Sequence, residues 1–336
     1  MTRLNRLLEL LDRRRSGSGS TERTVAIACQ GGGSHAAFTA GVLDELLGEF
    51  PSSHRLVGLS GASGGAVSAV AAWYGLLAAG ETSGSVLEAV WDDIAANTPW
   101  DRWVNGMAVL GATVPASVEP AENPYLNPGS DLGRAHLERT LQEHVDFTSF
   151  GELVDLRRAP ALLVSAVNVR TGSPQLFRDD EITPATVVAS SAIPRVFEPV
   201  DIDGEQYWDG FLSQNPPIRE FVTDGTIPAP DELWIVRLTP ETVEEMPTTA
   251  EAIDGRVRQL VETLSLRQER RFVETVNEWI ADGRLADPSL TETTIRHIDL
   301  PRERAGRSRL DRRPSFVADL YGDGEDAARA FRRQLA

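Results

Sequence analysis

Two glycine clusters, each set between a short apolar run and a helix-forming stretch, constrain this chain more than any other feature. Residues 24–29 (Thr-Val-Ala-Ile-Ala-Cys) are an unbroken apolar run, residues 30–33 a glycine-rich turn, and residues 36–50 carry Phe38, Val42, Leu43, Leu46 and Leu47 at helical spacing. The pattern then repeats. The apolar residues 56–60 lead into Gly61-Ala62-Ser63-Gly64-Gly65, and an Ala- and Val-rich stretch follows over residues 66–79. Alternating strand and helix patterns of this kind continue over residues 24–239 and predict a single α/β sheet with helices on both faces.

Each turn has a chemical use. A serine in a sharp strand-to-helix turn exposes its hydroxyl beside a helix N-terminus, and glycines at 61 and 65 permit the tight backbone such an elbow needs. In the first turn, the amides of Gly31, Gly32 and Gly33 can point one way at the start of a helix. Such a nest binds an anion or stabilises an oxyanion that develops in a transition state. Gly31, Gly33 and Ala36 also fit G-x-G-x-x-A, a dinucleotide-binding turn. That alternative wants a carboxylate at the end of the second strand for the ribose hydroxyls, where Leu59 and Ser60 stand instead. A purely structural glycine turn is the other alternative.

A serine nucleophile needs a proton acceptor. The five histidines are His35, His54, His136, His144 and His297, and a triad in the order Ser, Asp, His leaves only His297. One clear strand precedes the strand bearing Ser63, where an α/β-hydrolase has several, and His297 lies in an alternating run over residues 293–300 that reads as an ordinary strand. Asp209 fits better. Gln206, Tyr207 and Trp208 lead into it and Gly210 follows, which predicts a carboxylate at a strand end beside a turn. An apolar setting raises the pKa of such a group and makes it a usable base. Taken alone, an Asp-Gly pair reads first as a plain turn.

Taken together, the glycine turn after the first strand, G-x-S-x-G after the second and the distant Asp209-Gly210 resemble the patatin-like phospholipase family. Further stretches carry the same resemblance: residues 167–172, then Ala189-Ser190-Ser191-Ala192-Ile193-Pro194 with Phe197, Pro199 and Val200, then Tyr207-Trp208-Asp209-Gly210 and Asn215-Pro216-Pro217. They span residues 24–220, and residues 233–300 resemble the C-terminal part of the prokaryotic branch. The resemblance implies a three-layer α/β/α fold with a central mostly parallel sheet and a serine nucleophile elbow. It implies a phospholipase A or carboxylesterase type of lipid acyl hydrolase, with Ser63 as nucleophile and Asp209 as base in a dyad without histidine. The amides of Gly31, Gly32 and Gly33 would form the oxyanion hole, through an acyl-enzyme and with no metal or organic cofactor. The chain departs from the pattern where many members carry Arg-Gly and it has His35 and Ala36, and where Phe211 follows Asp-Gly in place of a smaller residue. These departures bear on oxyanion strength and acyl-pocket shape, so a catalytically weak or silent lipid-binding protein on the same fold is the alternative.

Around residues 24–220, read as the catalytic domain, residues 1–23 form a basic amphipathic segment with Leu4, Leu7, Leu8 and Leu11 at helical spacing and a Ser/Gly linker. Residues 221–336 are expected to add strands and helices to the same domain, including a helical stretch over residues 248–280 interrupted or kinked near Asp254-Gly255. Leu260, Leu264, Phe272, Val276 and Trp279 are its packing candidates. Residues 98–130, with Trp100, Trp103, Met107, Val109 and Leu110 before Pro115, Pro120, Pro124 and Pro128, suit a lid, an acyl-chain groove or an irregular connection.

Composition limits partners and compartment. Fifty acidic residues face 33 basic ones, all arginine, for a formal charge of −17. That balance repels nucleic acid and points to a salt-adapted surface, arginine use in a GC-rich genome being the other explanation. Cys29 is the single cysteine, which leaves no internal disulfide and no cysteine-type zinc site. No apolar run reaches membrane-span length and no signal-peptide core opens the chain. The expectation is a cytoplasmic protein, with peripheral contact at the inner membrane face through residues 1–15 or 98–130 as a further option.

Overall fold

The computed structural model describes residues 22–78, 83–98, 101–102, 105–106, 123–126, 128–154, 159–285, 291–301 and 306–335. The amphipathic segment over residues 1–15 and its linker lie outside these, as does most of the expected lid, including Trp100, Trp103, Met107, Val109, Leu110, Pro115 and Pro120.

The strands are β1 Arg23–Cys29, β2 His54–Gly61, β3 Ala161–Asn168, β4 Pro174–Arg178, β5 Val200–Ile202, β6 Glu205–Asp209, β7 Glu232–Arg237 and β8 Thr294–Asp299. The helices used below are α1 Ala37–Gly48, α2 Gly64–Leu77, α3 Ser83–Ile94, α4 Pro128–His144, α5 Phe150–Val154, α6 Pro184–Ser190, α7 Glu220–Thr223, α8 Ala250–Ala281 and α9 Pro314–Leu335. All eight strands belong to one sheet. Strands β3, β2, β1, β7 and β8 are parallel neighbours, while β4 and β6 run antiparallel to β3 and β5 antiparallel to β6.

The sheet separates two apolar layers because side chains alternate along each strand. Val25, Ile27 and Cys29 of β1, with Trp234 and Val236 of β7, face the layer that holds Phe38, Leu43 and Leu46 of α1, Trp73 of α2 and Leu320 of α9. Ala26, Ala28, Leu233 and Ile235 face the other way, against Phe221 of α7 and Leu266 and Val273 of α8. The result is an α/β/α arrangement of three layers. Cys29 is wholly buried, and burial pushes its thiol pKa far up, as befits a core residue.

Two helices differ from expectation. A 3₁₀ turn over Gly33–Ala36 precedes α1, which starts at Ala37. The expected break at Asp254-Gly255 is absent: α8 runs unbroken for 32 residues. A single glycine costs a helix only about 1 kcal/mol, and Leu266, Glu269 and Val273 bury one face of this one. Of its packing candidates Val276 is buried, whereas Leu260, Leu264 and Trp279 are exposed.

One detail of sheet order positions the site. Val164 of β3 pairs with Gly61 of β2 on one edge and with Phe177 of β4 on the other. Ala166 pairs with Gln175 of β4 and with Asp209 of β6. Strand β6 therefore occupies the edge of β3 that β2 vacates when it turns off at Gly61. Asp209 sits two β3 residues beyond Gly61, a rise of about 6.6 Å.

Candidate active site

Ser63 adopts φ 54° and ψ −134° between β2 and α2, a backbone conformation that L-residues avoid unless their surroundings enforce it. Its surroundings do so. A side chain at Gly61 would lie 2.6 Å from the Ala66 nitrogen, and one at Gly65 would lie 2.7 Å from the Gln30 carbonyl oxygen, so the turn closes only with glycine at both positions. The Ser63 amide donates to Ser190 Oγ at 3.0 Å, which fastens the elbow to the end of α6.

The Ser63 hydroxyl donates to Asp209 Oδ2 at 2.7 Å. Asp209 is wholly buried and its second oxygen, Oδ1, accepts the Phe211 amide at 2.9 Å. Burial raises the Asp209 pKa to about 7, against the lowering effects of the Phe211 amide and the Ser63 hydroxyl. Near neutral pH this carboxylate can both hold and release a proton. Ser63 itself is 4% exposed.

The glycine turn lies against the elbow. A side chain at Gly31 would come 2.8 Å from Ser63 Cβ, and Gly33 takes the left-handed conformation, φ 59°. Gln30 Oε1 accepts the amides of Leu238 (2.7 Å) and Thr239 (3.1 Å), tying the turn to the end of β7. Of the three amides expected to line an oxyanion site, that of Gly31 is already committed: it donates to Asn215 Oδ1 at 2.6 Å. The amides of Gly32 and Gly33 have no acceptor among the described residues.

The sequence matches the patatin-like phospholipase family over residues 27–222, more than half of the chain. This protein belongs to that family. At the family level it is a lipid hydrolase. No curated protein matches it significantly. Among solved structures it is similar to VipD from Legionella pneumophila, at 14% identity and a TM-score of 0.39, over 90% of this chain and 67% of that one. It is also similar to ExoU in the heterodimeric ExoU–SpcU complex of the type III secretion system of Pseudomonas aeruginosa, at 13% identity and a TM-score of 0.35. That match covers 92% of this chain and 53% of ExoU. The family assignment rests on the sequence match alone.

In this patatin-like chain His35, where the family resemblance leads one to expect arginine, is held by Ser308 and Phe316. It is 1% exposed, its Nε2 lies 2.7 Å from Ser308 Oγ, and the ring packs edge-on against Phe316 at 6.1 Å. A cation does approach the turn from elsewhere. Partly buried Arg309 pairs with Glu262 and donates to Thr239 Oγ1 at 2.9 Å, and desolvation lowers its pKa to about 10. Its backbone lies against Gly33, where a side chain would meet the Arg309 Cβ at 3.2 Å.

Asn215 is the residue that local reading undervalued. Its amide donates to Ser265 Oγ at 3.1 Å and its Nδ2 to the Glu262 carbonyl at 3.4 Å, both on α8, while its Oδ1 holds Gly31. Asn-Pro-Pro signals a turn, and only the family resemblance marked it out. Ser190 was visible in the same limited way.

His297 stands on β8, as expected of an ordinary strand residue. Asp93, Glu143 and His144 lie close enough together to hold a metal ion, and His144 Nε2 and Asp93 Oδ2, 2.7 Å apart, are already hydrogen-bonded to each other. Clefts of about 610 and 660 Å³ are lined by neither Ser63 nor Asp209. No described helix is long and apolar enough to cross a membrane.

Proposed function

We propose that this chain hydrolyses carboxylic esters of lipids through a Ser63–Asp209 dyad. The observation that carries the reading is the 2.7 Å hydrogen bond from a strained elbow serine to a fully buried carboxylate whose pKa is raised to about 7. In the first half-reaction Ser63 Oγ attacks the ester carbonyl carbon as Asp209 Oδ2 takes its proton. The tetrahedral oxyanion is met by the Gly32 and Gly33 amides, with Gly31 acting through Asn215 to hold the turn. Collapse expels the alcohol, which leaves with the proton from Asp209, and an acyl-serine remains. Water then attacks this ester and gives its proton to Asp209. Breakdown of the second tetrahedral species releases the fatty acid and returns the proton to Ser63.

The test pairs a fluorophosphonate probe with a short-chain p-nitrophenyl ester, in dilute buffer and in molar KCl, for the wild type, Ser63→Ala and Asp209→Asn. Labelling and turnover lost in Ser63→Ala, with turnover collapsing in Asp209→Asn, are the expected results. A folded wild type that is neither labelled nor active under both conditions refutes the proposal. It would favour the second reading, a silent lipid-binding protein, to which the engaged Gly31 amide lends support.

A further inference from the structure

Helix α8 has an outer face that nothing described covers. Ile253, Val257, Leu260, Val261 and Leu264 are each 41–55% exposed. At about 100° per residue they fall within one sector of the helix, opposite the buried Glu262, Leu266, Glu269 and Val273. Single exposed aliphatics are ordinary, whereas five contiguous ones over three turns make a patch of a few hundred Å², a size that marks an interaction surface. Beyond Leu264 the same sector changes character, with Gln268, Arg271, Thr275 and Glu278 facing out.

The stripe is tied to the candidate site. The inner side of the same turns holds Asn215, through Ser265 Oγ and the Glu262 carbonyl, and Asn215 holds Gly31 beside Ser63. Exposed Leu212 lies on the 3₁₀ turn directly after Asp209, which packs on α8. The apolar face thus lies about one helix diameter, roughly 10 Å, from the oxyanion turn.

We propose that this face of α8 rests on a zwitterionic lipid surface and so holds the chain where its lipid substrate lies. The proposal builds on the lipid-ester reading above and names how substrate is met. Size argues against a protein partner, since a stable interface needs ~800 Å² on each side. The formal charge of −17 opposes attraction to anionic lipid, which leaves burial of aliphatic side chains as the source of attachment. Attachment of that kind persists in high salt.

The test uses the full chain with phosphatidylcholine vesicles, in 0.1 and 1 M KCl (conditions set at about one and ten times the ionic strength at which the Debye length is ~10 Å). The wild type should float with the vesicles at both salts, and Leu260→Glu/Leu264→Glu should bind about tenfold or more weakly. Turnover of the soluble p-nitrophenyl ester by that variant should stay within about twofold of wild type, since neither leucine is part of the dyad or its turn. A second measurement stands apart from the double variant. Because Cys29 is wholly buried, an environment-sensitive label on Leu264→Cys should report an apolar shift on adding vesicles. The proposal is overturned if the wild type fails to float, or if the double variant floats as well as wild type. It is overturned equally if the label is already apolar without vesicles and responds to protein concentration, a second copy occupying the stripe, or to removal of residues 1–21. Loss of soluble-ester turnover in the wild type would refute the dyad reading without bearing on vesicle binding.

Discussion

Two buried carboxylates at opposite ends of the sheet are driven in opposite directions. Asp209, at the end of β6, is wholly buried with a hydroxyl and an amide as partners, and burial takes its pKa up to about 7. Glu232, at the start of β7, is 1% exposed, yet its pKa is held at about 2. Burial pushes Glu232 up as well, but Arg296 at 2.7 Å, the Trp234 indole N–H at 2.8 Å and Arg23 at 2.7 Å outweigh it. Burial sets the penalty for charge; guanidinium partners decide whether it is met. Among the described residues no cation pairs with Asp209. One end of the sheet is built to keep a charge, the other to let a proton come and go.

Asp209→Asn is the strongest way to break this contrast. Turnover should fall by about 10³- to 10⁴-fold, the scale of losing a base and its orientation. Stability should move the other way. Folding raises this pKa, so the contribution of Asp209 is full below the ordinary value of 3.8 and is lost as pH rises through about 7. Thermal melting at pH 8 should therefore show Asp209→Asn as the more stable protein, by about 2–4 kcal/mol at most. In the wild type, kcat/KM should decline with unit slope below about pH 7.

Glu232→Gln sharpens the comparison from the other end. It leaves two guanidinium groups around an uncharged amide and should cost about 2–4 kcal/mol in urea unfolding at pH 7, with kcat unchanged. Folding lowers this pKa, so the stability due to Glu232 is present above its ordinary value of 4.5 and is lost as pH falls towards about 2. Asn215→Ala removes the acceptor of the Gly31 amide and should lower kcat by about 10- to 100-fold while KM changes little, because it slackens the oxyanion turn. Asp should rescue it in part by accepting from the same amide. The smallest effect concerns neither end. Molar KCl should raise the melting temperature by a few degrees by screening the acidic surface, and an unchanged melting curve would remove the salt-adaptation idea.

The two groups joined by the 2.7 Å hydrogen bond were legible in sequence because both sit at punctuated strand ends. Ser63 stands in G-x-S-x-G between an apolar run and a helix, and Asp209 between aromatics and Gly210. Fold class followed from the same two units, since period and turn chemistry agreed at both. The availability of individual amides was not legible. Three consecutive glycines look alike in sequence, and only a contact 184 residues away sets Gly31 apart from Gly32 and Gly33. Glu232 was invisible for a similar reason: its partners Arg23, Trp234 and Arg296 converge from three strands. On α8, sequence supplied the apolar positions but not which side faces the sheet. Its apolar residues lie on both sides of the helix, and tertiary packing chose Leu266 and Val273 over Leu260 and Leu264.

Because β2 and β6 share one edge of β3, a single strand gauges the spacing between the Ser63 elbow and Asp209. Side chains alternate along that gauge, so β6 can slip only in even steps without turning its acid to the wrong side of the sheet. A slip of one residue would present Trp208 or Gly210 in place of Asp209. Insertions or deletions in residues 200–209 that shift this register should therefore break the Ser63–Asp209 contact, an odd step by turning the acid to the other face and an even one by moving it about 6.6 Å along β3.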